Sequence, residues 1–112
     1  WCSTQGAIEE AVNAARSTGL KVSNLHLKVL FPLASGLKEV FKRFKKVMTV
    51  EINYSDTPHH PMITVENRRY AQLATLLRAQ TLQDIDCFSK VYGQPLSSGV
   101  ILRKIKEELT QV

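Results

Sequence analysis

Ile8, Ala11, Val12 and Ala15 recur three and four residues apart, with Glu9, Glu10 and Asn13 between them and Arg16 just after. That spacing gathers the apolar residues on one face and predicts an amphipathic helix. Ser3 and Thr4 are cap candidates at its start, Glu9 and Glu10 lie towards its positive end, and Gly19 is placed to end it in the left-handed conformation. From Lys21 to Leu30 the period falls to two over part of its length. Leu25, Leu27 and Val29 oppose His26 and Lys28 until Phe31-Pro32 stops regular pairing, so a strand is expected. Leu37, Val40, Phe41 and Phe44 return to the helical period from about Ser35. Val47 to Ile52 is short, β-branched and apolar almost throughout, the composition of a central strand covered on both faces by helices.

Ser55 to Asn67 contains Pro58 and Pro61 and has no periodicity, so it is a loop. Tyr70, Leu73, Ala74 and Leu77 predict a third helix and Ile85 to Val91 a third strand. Ile101, Ile105 and Leu109 predict a final helix behind the cap candidates Ser97 and Ser98. Helices alternating with strands imply an α/β fold, a parallel sheet between helical layers with right-handed crossovers. A helix that begins immediately after Trp1 is ordinarily fed by a strand, so an opening strand is expected ahead of Trp1.

Composition narrows this picture. A chain of 112 residues, 44% hydrophobic, builds one core of ordinary size, and a single domain over 1–112 is expected. No apolar run approaches the roughly 20 residues that span a bilayer, and no membrane partner is expected. Cys2 and Cys87 are the only cysteines, far apart and without a CxxC partner, which favours a reducing cytoplasm over a disulfide framework and argues against a metal held by this chain. The net charge of +5 and pI near 9.4 favour an acidic partner without identifying one. Much of the excess lies in Lys38, Lys42, Arg43, Lys45 and Lys46, and in Arg103, Lys104 and Lys106. Charge alone motivates one reading, a free-standing basic module for nucleic acid or another acidic partner. No aromatic-basic RNA motif or recognition-helix signature supports it.

A second reading comes from motifs. Trp1-Cys2-Ser3-Thr4-Gln5-Gly6-Ala7-Ile8-Glu9-Glu10-Ala11 resembles the Trp-Gly-Ser-Thr-x-Gly-x-x-x-Glu-Ala signature of 2-oxoacid:ferredoxin oxidoreductase α-subunits. His26-Leu27 with Phe31-Pro32-Leu33 is similar to that family's His-Leu and proline-rich turn, and Val47 to Asn53 to its Val-x-x-Val-Glu-x-Asn strand. Leu73-Ala74-x-Leu76-Leu77-Arg78-Ala79 and Lys90-Val91-Tyr92-Gly93-Gln94-Pro95-Leu96 follow in the same order. Cys2 departs from the family's glycine, and the loop from Ser55 to about Arg69 is longer than its usual step from strand to helix.

The resemblance implies the C-terminal domain of the α-subunit, similar to the transketolase C-terminal domain: a three-layer α/β/α sandwich on a five-stranded, mostly parallel sheet. It also implies a parent complex that oxidatively decarboxylates a 2-oxoacid such as 2-oxoglutarate or pyruvate to acyl-coenzyme A and reduces ferredoxin. Thiamine diphosphate, magnesium and iron-sulfur clusters belong to that complex. The motifs that bind them are absent here, so this domain is expected to bind no cofactor, to have no activity alone, and to contact the β-subunit and other domains.

Side chains with chemical potential each have a plainer explanation. The helix start from Ser3 to Gly6 could bind an anion, but every helix start needs capping. His59 and His60 are adjacent, point apart in extended chain and lack further ligands, so a solvated loop is expected. His26 has no neighbouring acid in sequence to make it a base. The run from Lys38 to Lys46 could dock ferredoxin or coenzyme A, yet charged outer helix faces are ordinary. No catalytic, cofactor-binding or metal-binding residue is assigned. In open parallel sheets contacts gather at the carboxyl ends of strands. That rule makes Trp1, Ser3, Thr4, Gly6, Phe31, Glu51, Asn53 and Tyr54 the candidate interface, a partly exposed edge on which Glu51 and Asn53 are polar fixing points and Tyr92-Gly93 completes the set.

Overall fold

The computed structural model describes residues 4–57, 59–91 and 96–110. Its elements are α1 (Gln5–Ser17), α2 (Leu37–Lys42), β1 (Val47–Glu51), α3 (Gln72–Thr81), β2 (Ile85–Ser89) and α4 (Ser98–Thr110). Helices joined to a parallel sheet put the chain in the expected α/β class. It divides into two compact units, one containing α1 and α4, the other formed by Ser35–Val91.

In the first unit α1 packs on α4. Ala11, Val12 and Ala15 are buried on α1, as their spacing predicts, and Ile101 and Ile105 are buried on α4. Burying such side chains stabilises by roughly 1.5–3 kcal/mol each for the larger aliphatics. Gly19 ends α1 as expected: at φ +90° it donates its N–H to the Arg16 carbonyl at 3.0 Å, while the Leu20 N–H reaches back to the Ala15 carbonyl at 3.2 Å. This double closure satisfies carbonyls that the last turn would leave unpaired. Ser97 starts α4, its hydroxyl accepting from the Val100 N–H at 3.3 Å.

Residues 21–30 do not form the expected strand; they are irregular. Their alternation is genuine but short, interrupted by Ser23 and Asn24, and Leu25 and Val29 remain exposed. A strand exists only where another strand takes up its N–H and C=O groups. Among the described residues this segment pairs with none.

In the second unit α2 is shorter than predicted. Leu37 and Phe41 are buried, whereas Val40 and Phe44 are exposed and the helix closes at Lys42. β1 and β2 run parallel in the register Val47↔Ile85 through Glu51↔Ser89, connected through α3. Parallel neighbours require such a crossover because a tight turn cannot reverse the chain twice. Among the described residues the sheet has these two strands, where the resemblance implied five and the apolar composition of 47–52 a central place for β1. One face of β1 is better covered than the other, although Val47 at its start is half-buried. Thr49 and Glu51 are buried on that face, while Met48 and Val50 on the opposite face are half-buried. Leu73, Ala74 and Leu77 of α3, Ile85 and Cys87 of β2, and Ala71 complete the core.

Candidate functional site

The carboxyl end of β1 delivers an acid into the interior. Glu51 is only 1% exposed, and both its oxygens are committed. Oε1 accepts from the Leu73 N–H at 2.7 Å and from Asn53 Nδ2 at 2.9 Å; Oε2 accepts from the Ala74 N–H at 3.0 Å and from the Thr49 hydroxyl at 2.6 Å. The backbone donors lie in the first turn of α3, where N–H groups lack helical partners and the helix dipole favours negative charge. Tyr70-Ala71-Gln72 supplies no Ser, Thr, Asp or Asn at the cap position, and Ala71 makes no side-chain cap. The strand therefore caps the next helix. Glu51 is no fixing point on an exposed edge, contrary to the sequence expectation, because desolvating it is offset only by these four bonds.

The same geometry decides which groups fit. A diphosphate would require the α3 amide donors that Glu51 already holds, and its charge would face the carboxylate, so the start of α3 does not fit thiamine diphosphate. Cys87 is buried and its sulfur accepts from the Ala71 N–H at 3.4 Å. One buried thiol does not fit an iron-sulfur cluster, which takes several thiolates. Among the described residues no three His, Cys, Asp or Glu side chains gather to hold a metal ion.

Beyond Glu51 the chain closes a loop on itself. Asp56 is 4% exposed and takes a bidentate grip from Arg69, Nε to Oδ2 at 3.0 Å and Nη2 to Oδ1 at 2.9 Å. Backbone bonds run both ways, from the Asp56 N–H to the Arg69 carbonyl at 2.9 Å and from the Arg69 N–H to Asp56 Oδ2 at 3.0 Å. The Tyr54 hydroxyl donates to Asp56 Oδ1 at 2.6 Å. The Arg69 hydrogen bonds, followed by that of Tyr54, hold the Asp56 carboxyl well below the usual carboxylate range. Its charge in turn pushes the Tyr54 phenol up, chiefly through that hydrogen bond. Ser55 and Ser89 share a hydrogen bond of 2.5 Å that ties the loop's start to the end of β2. At its far end Arg68 Nη2 meets Asp86 Oδ1 at 3.1 Å, and Lys46 Nζ lies 3.6 Å from Asp86 Oδ2.

Other candidates disperse. Trp1 and Ser3, like Tyr92-Gly93, lie outside the described residues. Thr4 is buried at the start of α1 without a side-chain capping bond, Gly6 is exposed in the first turn, and Phe31 is 94% exposed. These belong to the first unit; Glu51, Asn53 and Tyr54 belong to the second and are joined there by the bonds above. Tyr54 is 60% exposed, and Asn53 Oδ1 is buried without a hydrogen-bond partner. His59 and His60 are exposed, and His60 Nδ1 accepts from the Met62 N–H at 3.1 Å.

Sequence reasoning missed the Glu51 cap and the Asp56–Arg69 clasp. The first had a signal: an acid inside an apolar strand, followed later by a helix without a local cap. The second had none, since Asp56 and Arg69 stand 13 residues apart with no periodicity between them.

No family model and no solved structure matches the chain. Over 109 residues, 97% of its length, it is 34% identical to the 2-oxoglutarate oxidoreductase subunit KorA of Mycobacterium tuberculosis. It spans 14% of that protein's length. The chain is thus similar, almost from end to end, to part of a 2-oxoglutarate oxidoreductase subunit, which upholds the resemblance that its motifs carry.

Proposed function

We propose that this chain is a structural and subunit-contact domain of a 2-oxoacid:ferredoxin oxidoreductase and contributes no catalytic side chain. The carrying observation is the 34% identity to the KorA subunit over 97% of the chain. The motif order adds the C-terminal domain of an α-subunit as its place. On this reading the parent complex decarboxylates 2-oxoglutarate or a related 2-oxoacid, forms the acyl-coenzyme A and passes electrons to ferredoxin in the cytoplasm. Thiamine diphosphate, magnesium and iron-sulfur clusters are then held by other domains or by the β-subunit.

Within this chain the buried Glu51 acts through rigidity. It fixes the strand end to α3, and three residues further on Tyr54 presents an exposed ring beside the half-buried Asn53, whose Nδ2 is spent on Glu51. A large exposed aromatic of this kind suits the core of a protein contact. Phe31 offers a separate apolar contact in the other unit.

The test is made in the assembled complex. Tyr54→Ala and Phe31→Ala should weaken assembly, read by size-exclusion chromatography, while the chain alone supplied with 2-oxoglutarate, thiamine diphosphate, coenzyme A and ferredoxin should show no turnover. Turnover by the chain alone would overturn the non-catalytic assignment. Full assembly and activity of both variants would remove these residues from the interface.

A further inference from the structure

The longer loop does more than close: its last residues bring two arginines beside a third on α3. Arg68, Arg69, Tyr70, Thr75, Arg78 and Ala79 line an open groove of about 490 Å³. No acidic side chain is among them. Thr75, Arg78 and Ala79 follow at helical spacing, so they share one stripe of α3, and Arg68 to Tyr70 supply the facing side.

Each guanidinium is held by an acid along part of its fork only. Arg78 uses Nη1 alone, on Asp84 Oδ1 and the Ile85 carbonyl, both at 2.7 Å. Arg69 grips Asp56 through Nε and Nη2, and Arg68 reaches Asp86 and the Cys87 sulfur through Nη2, which leaves the Nη1 group of each outside these bonds. A guanidinium carries five N–H donors, so each keeps donors in reserve. The Tyr70 ring fixes two of them further, with the Arg78 guanidinium carbon 4.1 Å and that of Arg68 4.5 Å from its centroid. Two cations held against one ring repel, and an anion joining them relieves that repulsion. The groove is therefore preorganised for negative charge before any ligand arrives.

We propose that this groove is a binding site for the phosphate group of a small phosphorylated molecule. A phosphate offers oxygens in several directions and up to two charges, so it can engage more than one guanidinium at once, which a single carboxylate cannot do as well. The nearest competitor is Asp84, 93% exposed, and an exposed pair of that kind is weak enough to exchange. The groove exceeds a phosphate in size, leaving room for the ester's carbon skeleton over Thr75 and Ala79. This site stands apart from the start of α3, which Glu51 fills, and it does not depend on the oxidoreductase assignment.

The experiment is calorimetric titration of the full chain with inorganic pyrophosphate, and in parallel with citrate as a carboxylate of comparable charge. Saturable pyrophosphate binding that weakens with salt is expected, with citrate weaker by about tenfold or more. Arg78→Gln should weaken pyrophosphate binding by about tenfold, but it also removes the Ile85 carbonyl bond and can unsettle the fold. Ala79→Glu answers that objection, because position 79 is exposed on the helix and glutamate is a good helix former. It places a negative charge in the groove and should abolish binding while the circular dichroism spectrum stays unchanged. No saturable binding at millimolar pyrophosphate, or unchanged affinity in Ala79→Glu, would overturn the site. Equal affinity for citrate would overturn the phosphate assignment.

Discussion

Glu51 Oε1 lies 2.7 Å from the backbone nitrogen of Leu73, so a side chain at the end of one strand performs the capping that the next helix lacks in its own sequence. Strand end, loop base and helix start are thereby one hydrogen-bonded assembly, completed by Thr49 and Asn53.

Removing that carboxylate strands two amide donors in the interior. Glu51→Ala should lower unfolding free energy by about 3 kcal/mol, and Glu51→Gln by less, because its carbonyl oxygen still accepts from one of them. Urea unfolding followed by circular dichroism measures both. A loss under about 0.5 kcal/mol, the size of an ordinary surface change, would contradict the capping role.

Gly19 and Gly6 make a pair with opposite signs. A Cβ at either meets nothing within 4 Å, so sterics with neighbours do not enter. Gly19 sits at φ +90°, where alanine is strained by about 1–2 kcal/mol, and Gly19→Ala should lower the melting temperature. Gly6 lies inside α1, where alanine is the better helix former, and Gly6→Ala should stabilise by roughly 0.5–1 kcal/mol.

These sites also mark the limits of reading the chain unaided. α1 and its stop at Gly19 were legible because apolar spacing and glycine geometry act over a few residues. The helices over Leu73–Leu77 and Ile101–Ile105 and the strands from Val47 and Ile85 were legible for the same reason. The expected strand over 21–30 was not, since its alternation prescribes which side chains share a face but not whether another backbone stands beside it. Glu51 was misjudged in a similar way. A glutamate at the carboxyl end of an apolar strand reads as a polar group on the sheet's edge, and only the distant Leu73 and Ala74 amides turn it inward.

Acid should loosen the loop before it unfolds the chain. The Asp56 carboxyl titrates lower folded than unfolded, so its stabilising contribution is complete above the unfolded value near 3.8 and is lost as pH falls towards the folded one. Hydrogen exchange at the Asp56 and Arg69 amides, corrected for intrinsic rates, should show constant protection from neutrality to about pH 4 and a decline below it. Asp56→Asn should reduce protection at every pH and flatten the profile. A wild-type profile already flat into strong acid would show that the carboxylate does not govern the clasp.

Cys87 should be chemically silent in the folded chain. Its thiol is buried against Ala71, so alkylation by iodoacetamide must wait for an opening event. Peptide mass spectrometry across increasing urea should show labelling at Cys87 rising with the unfolding transition. Rapid labelling in native buffer would mean that the β2 face is open.

The Asp56–Arg69 clasp makes the intervening residues a detour. Because the path returns to where it departed, the distance from β1 to α3 is set by the clasp and not by how many residues lie between, and lengthening a loop is entropically inexpensive. The exposed residues 59–61, ahead of the Met62 and Thr64 bonds to Asn67 and Arg68, are thus the place to extend or tag the chain, a natural port for grafting a reporter into the protein.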